Sequence, residues 1–201
     1  PYHMGLDVGL IGDGTAVAIT CPLNEKIRLV YHEVWVAGRS WHETNPHLTE
    51  PLVPYARTLQ DVERLDFDEL SIWINELCRR FYITEGIFDR WNGIPLEQAL
   101  HKRGLSQFRS EFFTRDQKSK MYQTAKMLMF DEQLSLYDYP IPETGIRHSE
   151  LIRELLALQA QILSSNMVLV QAPKIPGAHD DLSDALIRAI WLTHEYMSNQ
   201  K

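Results

Sequence analysis

Three apolar runs separated by tight-turn signals open the chain and limit the folds that it can adopt. The runs cover residues 4–10, 15–20 and 27–36. Residues 12–14 (Gly-Asp-Gly) and 22–26 stand between them, and glycine and aspartate tolerate the positive φ angles of hairpin turns. Consecutive strands joined by tight turns pair with their sequence neighbours. This region therefore predicts a three-stranded antiparallel meander.

After residue 66, helical patterns alternate with strand patterns. Apolar residues recur three and four positions apart from Phe67 to Phe81, which predicts a helix. Further helices are predicted at 95–104, 116–132, 149–163 and 180–196. Strands are predicted at 83–89, 108–113, 134–137 and 167–171. Ser149 is the expected N-cap of its helix, because its hydroxyl can accept from a free backbone N–H.

Residues 38–66 have no clear period and contain three prolines. A loop of this length in a compact domain is often functional, so we interpret it either as a substrate-facing segment or as a surface insertion. A meander followed by alternating helices and strands predicts an α/β fold with one mixed sheet flanked by helices.

Composition limits the class of protein. The 201 residues, 44% of them hydrophobic, suffice for one well-filled core, and we expect a single domain over residues 5–201. Residues 1–4 resemble a cloning remnant, because the strand pattern starts directly behind them. No run of 18 apolar residues and no signal-peptide pattern occurs, which argues against a membrane protein. Two distant cysteines, Cys21 and Cys78, indicate a reducing compartment without a disulfide framework.

Three short acidic segments carry the candidate chemistry. Asp7 lies in the first strand, between glycines that would let a ligand approach the backbone. Asp89 ends a later strand, and Asp180, Asp181 and Asp184 open the last helix. Carboxylates beside a core are unfavourable unless something compensates their charge, and for converging acids this is usually a divalent cation. Oxygen-only ligands favour Mg²⁺ or Mn²⁺, so we interpret the chain as a metal-dependent nuclease.

Helical geometry separates the acids of the last helix. At 100° per residue, its buried face consists of Leu182, Ala185, Leu186, Ala189 and Thr193. Asp181 then lies at the edge of that face, where it can enter a crevice at the sheet edge. Asp180 and Asp184 are expected to point further toward solvent. Asp180 would cap the helix and is the less favoured ligand, whereas Asp184 would share the solvent side with Arg188 and assist a metal ion.

Each acid also has a structural explanation. The helix macrodipole favours Asp180 and Asp181 in a first turn without any metal. Asp7 could be a turn residue, and Asp89 could form a salt bridge with Arg90. The joint occurrence of the acids, in this order and on these elements, is more specific than any one of them.

In this order the segments resemble the nuclease domain of the large terminase subunit of tailed bacteriophages. The family's strand-borne Gly-x-Asp is matched by residues 5–7, and the acid at the end of a central strand by Asp89. Its closing His-Asp-Asp-x-x-Asp-Ala helix is matched by residues 179–185. The resemblance implies an RNase H-like (RuvC-like) mixed sheet and an endonuclease that cuts concatemeric viral double-stranded DNA during genome packaging.

The resemblance also implies two divalent metal ions, Mg²⁺ or Mn²⁺, and two-metal phosphodiester hydrolysis. Asp7, Asp89 and Asp181 would be the catalytic residues, with Asp7 bridging both ions and the other two holding one each. Asp184 would assist directly or through water. His179 either orients an acid, handles a proton or is an ordinary loop histidine.

The partners implied are double-stranded DNA, an ATPase domain, the small terminase subunit and the portal, in the cytoplasm of a bacterial host and without a membrane. No Gly-x-x-x-x-Gly-Lys-[Ser/Thr] phosphate loop occurs in the sequence, so the ATPase domain is expected to lie outside this chain.

DNA contact needs positive charge, although the net charge of −7 argues against a free-standing strong nucleic-acid binder. The candidate phosphate contacts are Lys102, Arg103, Arg109, Arg115, Lys118, Lys120, Lys126 and Lys174. These side chains could equally be ordinary solvated charges. Trp41 and Trp91 could stack on bases or pack in the core.

Two other functions stay open. Holliday-junction resolvases and transposase-type enzymes are RNase H-like nucleases with similarly spaced acids. A non-catalytic DNA-packaging module would keep the fold and use the acids as caps and salt bridges.

Overall fold

The computed structural model describes residues 1–139, 148–164 and 167–200. A six-stranded sheet contains β1 (Tyr2–Asp7), β2 (Thr15–Leu23), β3 (Lys26–Trp35), β4 (Ile83–Asp89), β5 (Phe108–Glu111) and β6 (Leu134–Ser135). The helices are α1 (Trp41–Thr44), α2 (Phe67–Arg80), α3 (Arg90–Lys102), α4 (Arg115–Phe130), α5 (Glu150–Ala157) and α6 (Asp181–Ser198), with a 3₁₀ helix at Pro54–Asp61. Strands β7 (Gln159–Ser164) and β8 (Met167–Gln171) form a separate antiparallel hairpin.

The strand order of the main sheet is β5-β4-β1-β2-β3-β6, so the first strand lies near its centre. β1, β2 and β3 pair antiparallel, as predicted. A two-residue turn, Asn24 and Glu25, joins β2 to β3, whereas the longer segment 8–14 joins β1 to β2. β4 is parallel to β1, β5 to β4, and β6 to β3. The predicted mixed sheet, a meander with parallel strands flanked by helices, is confirmed.

A hydrophobic core lies on each face of the sheet. One contains side chains of α2 and α3, and the other contains side chains of α4, α5 and α6. β1 and α6 lie so close that a Cβ at Gly5 would overlap the carbonyl oxygen of Ala185. Gly5 therefore allows α6 to pack closely against β1. We expected it to let a ligand approach the backbone, and this expectation is wrong. The close packing brings the start of α6 to the carboxyl end of β1.

Two helix predictions were wrong in extent. The helix expected at 149–163 ends at Ala157, and the residues behind it form β7, which pairs with β8. Short apolar runs do not distinguish helix from strand locally, and here the neighbouring strand decides. The helix expected at 95–104 already begins at Arg90, because the Asp89 carboxylate accepts from the Trp91 backbone N–H at 2.9 Å.

Segment 38–66 covers the core rather than forming an unstructured loop. It contains α1 and the 3₁₀ helix, and Ala56 and Leu59 are fully buried.

β1 begins at Tyr2, with His3 and Met4 buried, so our premise that the strand starts behind residue 4 is wrong. The origin of residues 1–4 as a cloning remnant stays a prediction. No helix in the described ranges is long and apolar enough to span a membrane.

Candidate metal centre

A cleft of about 530 Å³ opens where β1 ends and α6 begins. Its polar lining, which defines the acidic cleft, consists of Asp7, Asp13, Arg64, Asn92, His179, Asp180 and Asp181. Two predicted ligands from opposite ends of the sequence, Asp7 and Asp181, thus line the same space.

Asp7 ends β1 and is paired with a buried arginine. Arg188 Nη1 lies 2.7 Å from Asp7 Oδ1 and also donates to the Leu6 carbonyl oxygen at 2.6 Å. Burial raises the pKa of the Asp7 carboxyl above its ordinary value, while the Arg188 guanidinium lowers it in part. Ionised Asp7 is therefore incompletely compensated by the protein's own charges.

Asp181, the first residue of α6, lies in the cleft as the helical register predicts. Its Oδ2 accepts from the Gly14 backbone N–H at 3.0 Å, and His179 Nδ1 lies 4.0 Å away from it. Burial, followed by the negative charge of Asp7, raises the pKa of Asp181 to about 7. The charge of Asp7 thus destabilises the ionised form of Asp181, and a cation bound between them would relieve this repulsion.

The expected solvent-side position of Asp184 is wrong. Asp184 is 5% exposed, and its carboxylate accepts from the Tyr122 hydroxyl and from Lys118 Nζ, each at 2.6 Å. Arg188 is also buried, with its guanidinium 5.1 Å from the centre of the Phe113 ring. The helical count on α6 could not show this, because α4 and the segment before it cover that side of the helix.

Asp180 occupies the N-cap position of α6 but its side chain makes no capping bond, so the expected cap role is wrong. It accepts instead from the Ala172 backbone N–H at 3.1 Å. Glu154 of α5 serves the helix end, because its Oε2 accepts from the Ser183 N–H at 2.9 Å and from the Ser183 hydroxyl at 3.0 Å. Sequence analysis missed Glu154, since nothing local shows that it meets a helix 29 positions away.

Asp89 caps α3 and pairs in register with Glu111 of β5. The structure gives no ion pair between Asp89 and Arg90 in its described ranges. Nor do any three His, Cys, Asp or Glu side chains of those ranges converge where they could hold a metal ion. The ligand roles of Asp7, Asp89 and Asp181 therefore stay predictions, although the Asp7 and Asp181 carboxylates in the cleft are oxygen donors of the kind that hard divalent cations prefer.

Four of the eight predicted DNA contacts form ion pairs with residues that the structure describes. The ion pairs join Arg103 to Asp68, Arg109 to Glu85 and Glu111, Lys118 to Asp184, and Lys120 to Asp116. Their positive charge is partly neutralised, and DNA contact by this set stays a prediction. Arg64, which sequence analysis did not select, lines the acidic cleft.

The two candidate stacking residues differ completely. Trp41 is buried and its indole N–H donates to Glu33 Oε1 at 2.5 Å, so it packs in the core. Trp91 is 86% exposed at the start of α3, beside Asp89. Base stacking is thus excluded for Trp41 in this fold and stays a prediction for Trp91.

Comparisons at the level of sequence find little. No protein-family model matches the chain, and a search of curated protein sequences finds no match.

Solved structures do match the fold. The HK97 bacteriophage large terminase superposes with a TM-score of 0.68 and 17% identity, over 94% of this chain and 38% of that one. The large terminase nuclease from thermophilic phage G20c gives 0.63 and 15%, over 94% of this chain and 81% of that one. The SPP1 large terminase nuclease domain gives 0.56 and 11%, over 95% and 85% of the two chains.

Metal ions occur in several of these structures. The G20c nuclease was solved with bound magnesium and with bound cobalt, and the SPP1 domain with bound manganese. This chain spans 38% of the length of the HK97 protein. At these identities the likeness concerns the fold. The chain has the RNase H-like fold of the nuclease domains of phage large terminases.

Proposed function

We propose that residues 5–201 form the nuclease domain of a phage large terminase and cut double-stranded viral DNA during genome packaging. The observation that carries this proposal is the meeting of Asp7 and Asp181 in one acidic cleft. The matched G20c and SPP1 nucleases, which share the fold, bind divalent metals.

The cleft suits divalent metal ions such as Mg²⁺ or Mn²⁺. Asp7 and Asp181 offer carboxylate oxygens, and burial, which raises the pKa of both carboxyls, makes their charged forms unfavourable unless a cation compensates them. Asp89 would join them from the end of β4 by releasing the Trp91 N–H that it caps. When bound, two such ions would activate water and stabilise the leaving oxygen.

Other residues of the cleft would orient the acids and the DNA. His179 lies beside Asp181, where it can fix that carboxylate or exchange a proton with it. Asn92 Nδ2 donates to the Val8 carbonyl oxygen at 3.3 Å and ties α3 to the segment that follows β1. Arg64 supplies a positive charge for a DNA phosphate at the cleft, where the acids would otherwise repel it.

We propose that the chain acts within a longer large terminase, in the cytoplasm of an infected bacterium. An ATPase domain, a small terminase subunit and a portal would be its partners. The chain matches 38% of the length of the HK97 large terminase, which supports a place within a longer protein.

A plasmid-nicking assay tests the proposal. The wild-type chain should cut with Mg²⁺ or Mn²⁺ and stop when a chelator is added. Asp7→Asn and Asp181→Asn should each abolish cutting while the chain stays folded. Asp131→Asn is the matched control, because this exposed aspartate follows the end of α4 and does not line the cleft. Cutting that continues in excess chelator, or in Asp7→Asn, would contradict the metal-dependent nuclease.

A second candidate is a non-catalytic DNA-packaging module. It is favoured by the partners that the acids already have, since Asp7 pairs with Arg188 and Asp89 caps α3. The same assay decides, because such a module would bind DNA and never cut it. Cleavage of four-way junctions in preference to linear duplex would instead indicate a resolvase-type nuclease.

A further inference from the structure

Arg188 places a positive charge inside the protein, between two aspartates. Its side chain is 5% exposed. Nη1 donates to Asp7 Oδ1 at 2.7 Å and to the Leu6 carbonyl oxygen at 2.6 Å, while Nη2 lies 3.7 Å from Asp184 Oδ2. A buried cation this close to a candidate metal ligand affects every other cation that binds there.

Neighbouring groups hold this guanidinium in place. Asp184 is itself anchored by Tyr122 and Lys118, each at 2.6 Å, and the Phe113 ring covers the guanidinium at 5.1 Å. β1, α4 and α6 all contribute to this group of residues. Arg188 therefore has one well-defined position and cannot be treated as a mobile surface arginine.

The two oxygens of Asp7 are not equivalent. Oδ1 accepts from Arg188, whereas the described part of the chain gives Oδ2 no hydrogen-bond donor. We propose that Arg188 is a positioning residue for Asp7, which fixes Oδ1, leaves Oδ2 for a divalent cation and limits how tightly that cation binds. This inference rests on the proposed function, since it takes Asp7 as a metal ligand.

Two opposing effects make the role measurable. The guanidinium orients the carboxylate, which favours cleavage because misplacing a catalytic group slows the reaction. Its charge also repels the incoming cation, which weakens metal binding. Removing Arg188 should therefore strengthen metal binding and slow cleavage together. A residue that only stabilised the fold would change both in the same direction, or neither.

The experiment measures Mn²⁺ binding by calorimetry without DNA, beside plasmid nicking and circular dichroism. Arg188→Met should bind Mn²⁺ about tenfold more tightly, or about 1.4 kcal/mol, and should cut more slowly. Arg188→Lys keeps the charge and should stay within about threefold of the wild-type affinity, with part of the cutting rate restored. Arg79→Met, at an exposed ion pair on α2, is the matched control and should change neither quantity.

Asp184→Asn gives an independent test if Arg188→Met does not fold. Neutralising Asp184 leaves the Arg188 charge less compensated, so Mn²⁺ should bind more weakly, opposite to Arg188→Met. Unchanged affinity in Asp184→Asn, or affinity in Arg188→Met no tighter than wild type, would overturn this inference. Asp7→Asn distinguishes a failure of the inference on Arg188 from a failure of the proposed metal site. If it binds Mn²⁺ as tightly as wild type, Asp7 is not a ligand, and the proposed metal site fails together with the inference.

Discussion

Glu33 and Asp184 are both buried carboxylates, but they lie in different cores and have different partners. Glu33 accepts from three indoles and a phenol, those of Trp35, Trp41, Trp73 and Tyr31, at 2.5–3.0 Å. Asp184 accepts from Tyr122 and from the cation Lys118, and it lies beside the cation Arg188.

This difference separates a structural carboxylate from one that is connected to the cleft. Burial raises the pKa of Glu33, and its four hydrogen bonds lower it only in part, because neutral donors supply no charge. All four of its partners belong to the hydrophobic core that contains α2 and α3, or pack against it. The group around Asp184 is charged and continues through Arg188 to Asp7. We expect the first group to affect stability and the second to affect stability and metal binding together.

The largest expected effect is that of Glu33→Ala. The change leaves three indole N–H groups and one hydroxyl buried without their acceptor. We expect it to lower the free energy of unfolding by about 3–5 kcal/mol, the range for breaking a buried polar network. Urea denaturation followed by tryptophan fluorescence measures this. Glu76→Ala, at an exposed ion pair on α2, is the control. A loss below about 1 kcal/mol would mean that water replaces the carboxylate.

Asp184→Asn should lower the free energy of unfolding less, by about 1–3 kcal/mol. The amide keeps an acceptor for Tyr122 but no longer compensates the charges of Lys118 and Arg188. Unlike Glu33→Ala, it should also change Mn²⁺ affinity in the folded protein. Urea denaturation and calorimetry on the same samples measure both. If the variant loses stability and its metal affinity does not change, Asp184 only stabilises the fold, as Glu33 does, and is not coupled to the cleft.

Glu154 tests whether a third buried carboxyl with neutral partners behaves like Glu33. Burial raises the pKa of Glu154 from 4.5 to about 8, against the hydrogen bonds from Ser183. Because the folded-state pKa is raised, its stabilising contribution is present below pH 4.5 and is lost as the pH rises through 8.

We therefore expect the free energy of unfolding to fall between pH 5 and pH 9 through this residue. Glu154→Gln should lack this part of the decrease. Urea denaturation of both proteins at pH 5, 7 and 9 measures the difference. Parallel pH profiles for the two proteins would show that Glu154 is ionised in the fold throughout this range.

The smallest expected effect separates two tryptophans. Trp41→Phe removes one donor to Glu33 and should cost about 1 kcal/mol. Trp91→Phe, at a side chain that is 86% exposed, should stay within about 0.5 kcal/mol of wild type. Thermal melts of the pair measure this. Equal losses would show that Trp91 is packed in solution, which would also remove it as a candidate for DNA contact.

Much of the fold could be predicted because its signals are local. Turn residues between β1, β2 and β3 favour antiparallel pairing of neighbouring strands, and the apolar period of α2 and α6 is clear in the sequence. The meeting of Asp7 and Asp181 was also predictable, since one ends a central strand and the other begins a helix whose buried face is continuous. The extent of α5 was not, because β7 depends on its pairing with β8.

The sequence by itself determined the mixed α/β fold, the order of its elements and the meeting of Asp7 with Asp181 in the cleft. Tertiary structure decided what the remaining acids do. Asp184 and Arg188 became buried because α4 covers α6, and Glu154 took the capping role expected of Asp180 because α5 lies beside the helix end. Helical and strand periods specify which way a side chain points from its own element. They do not specify which element lies opposite, and for a buried charge that neighbour sets both the hydrogen bonds and the pKa.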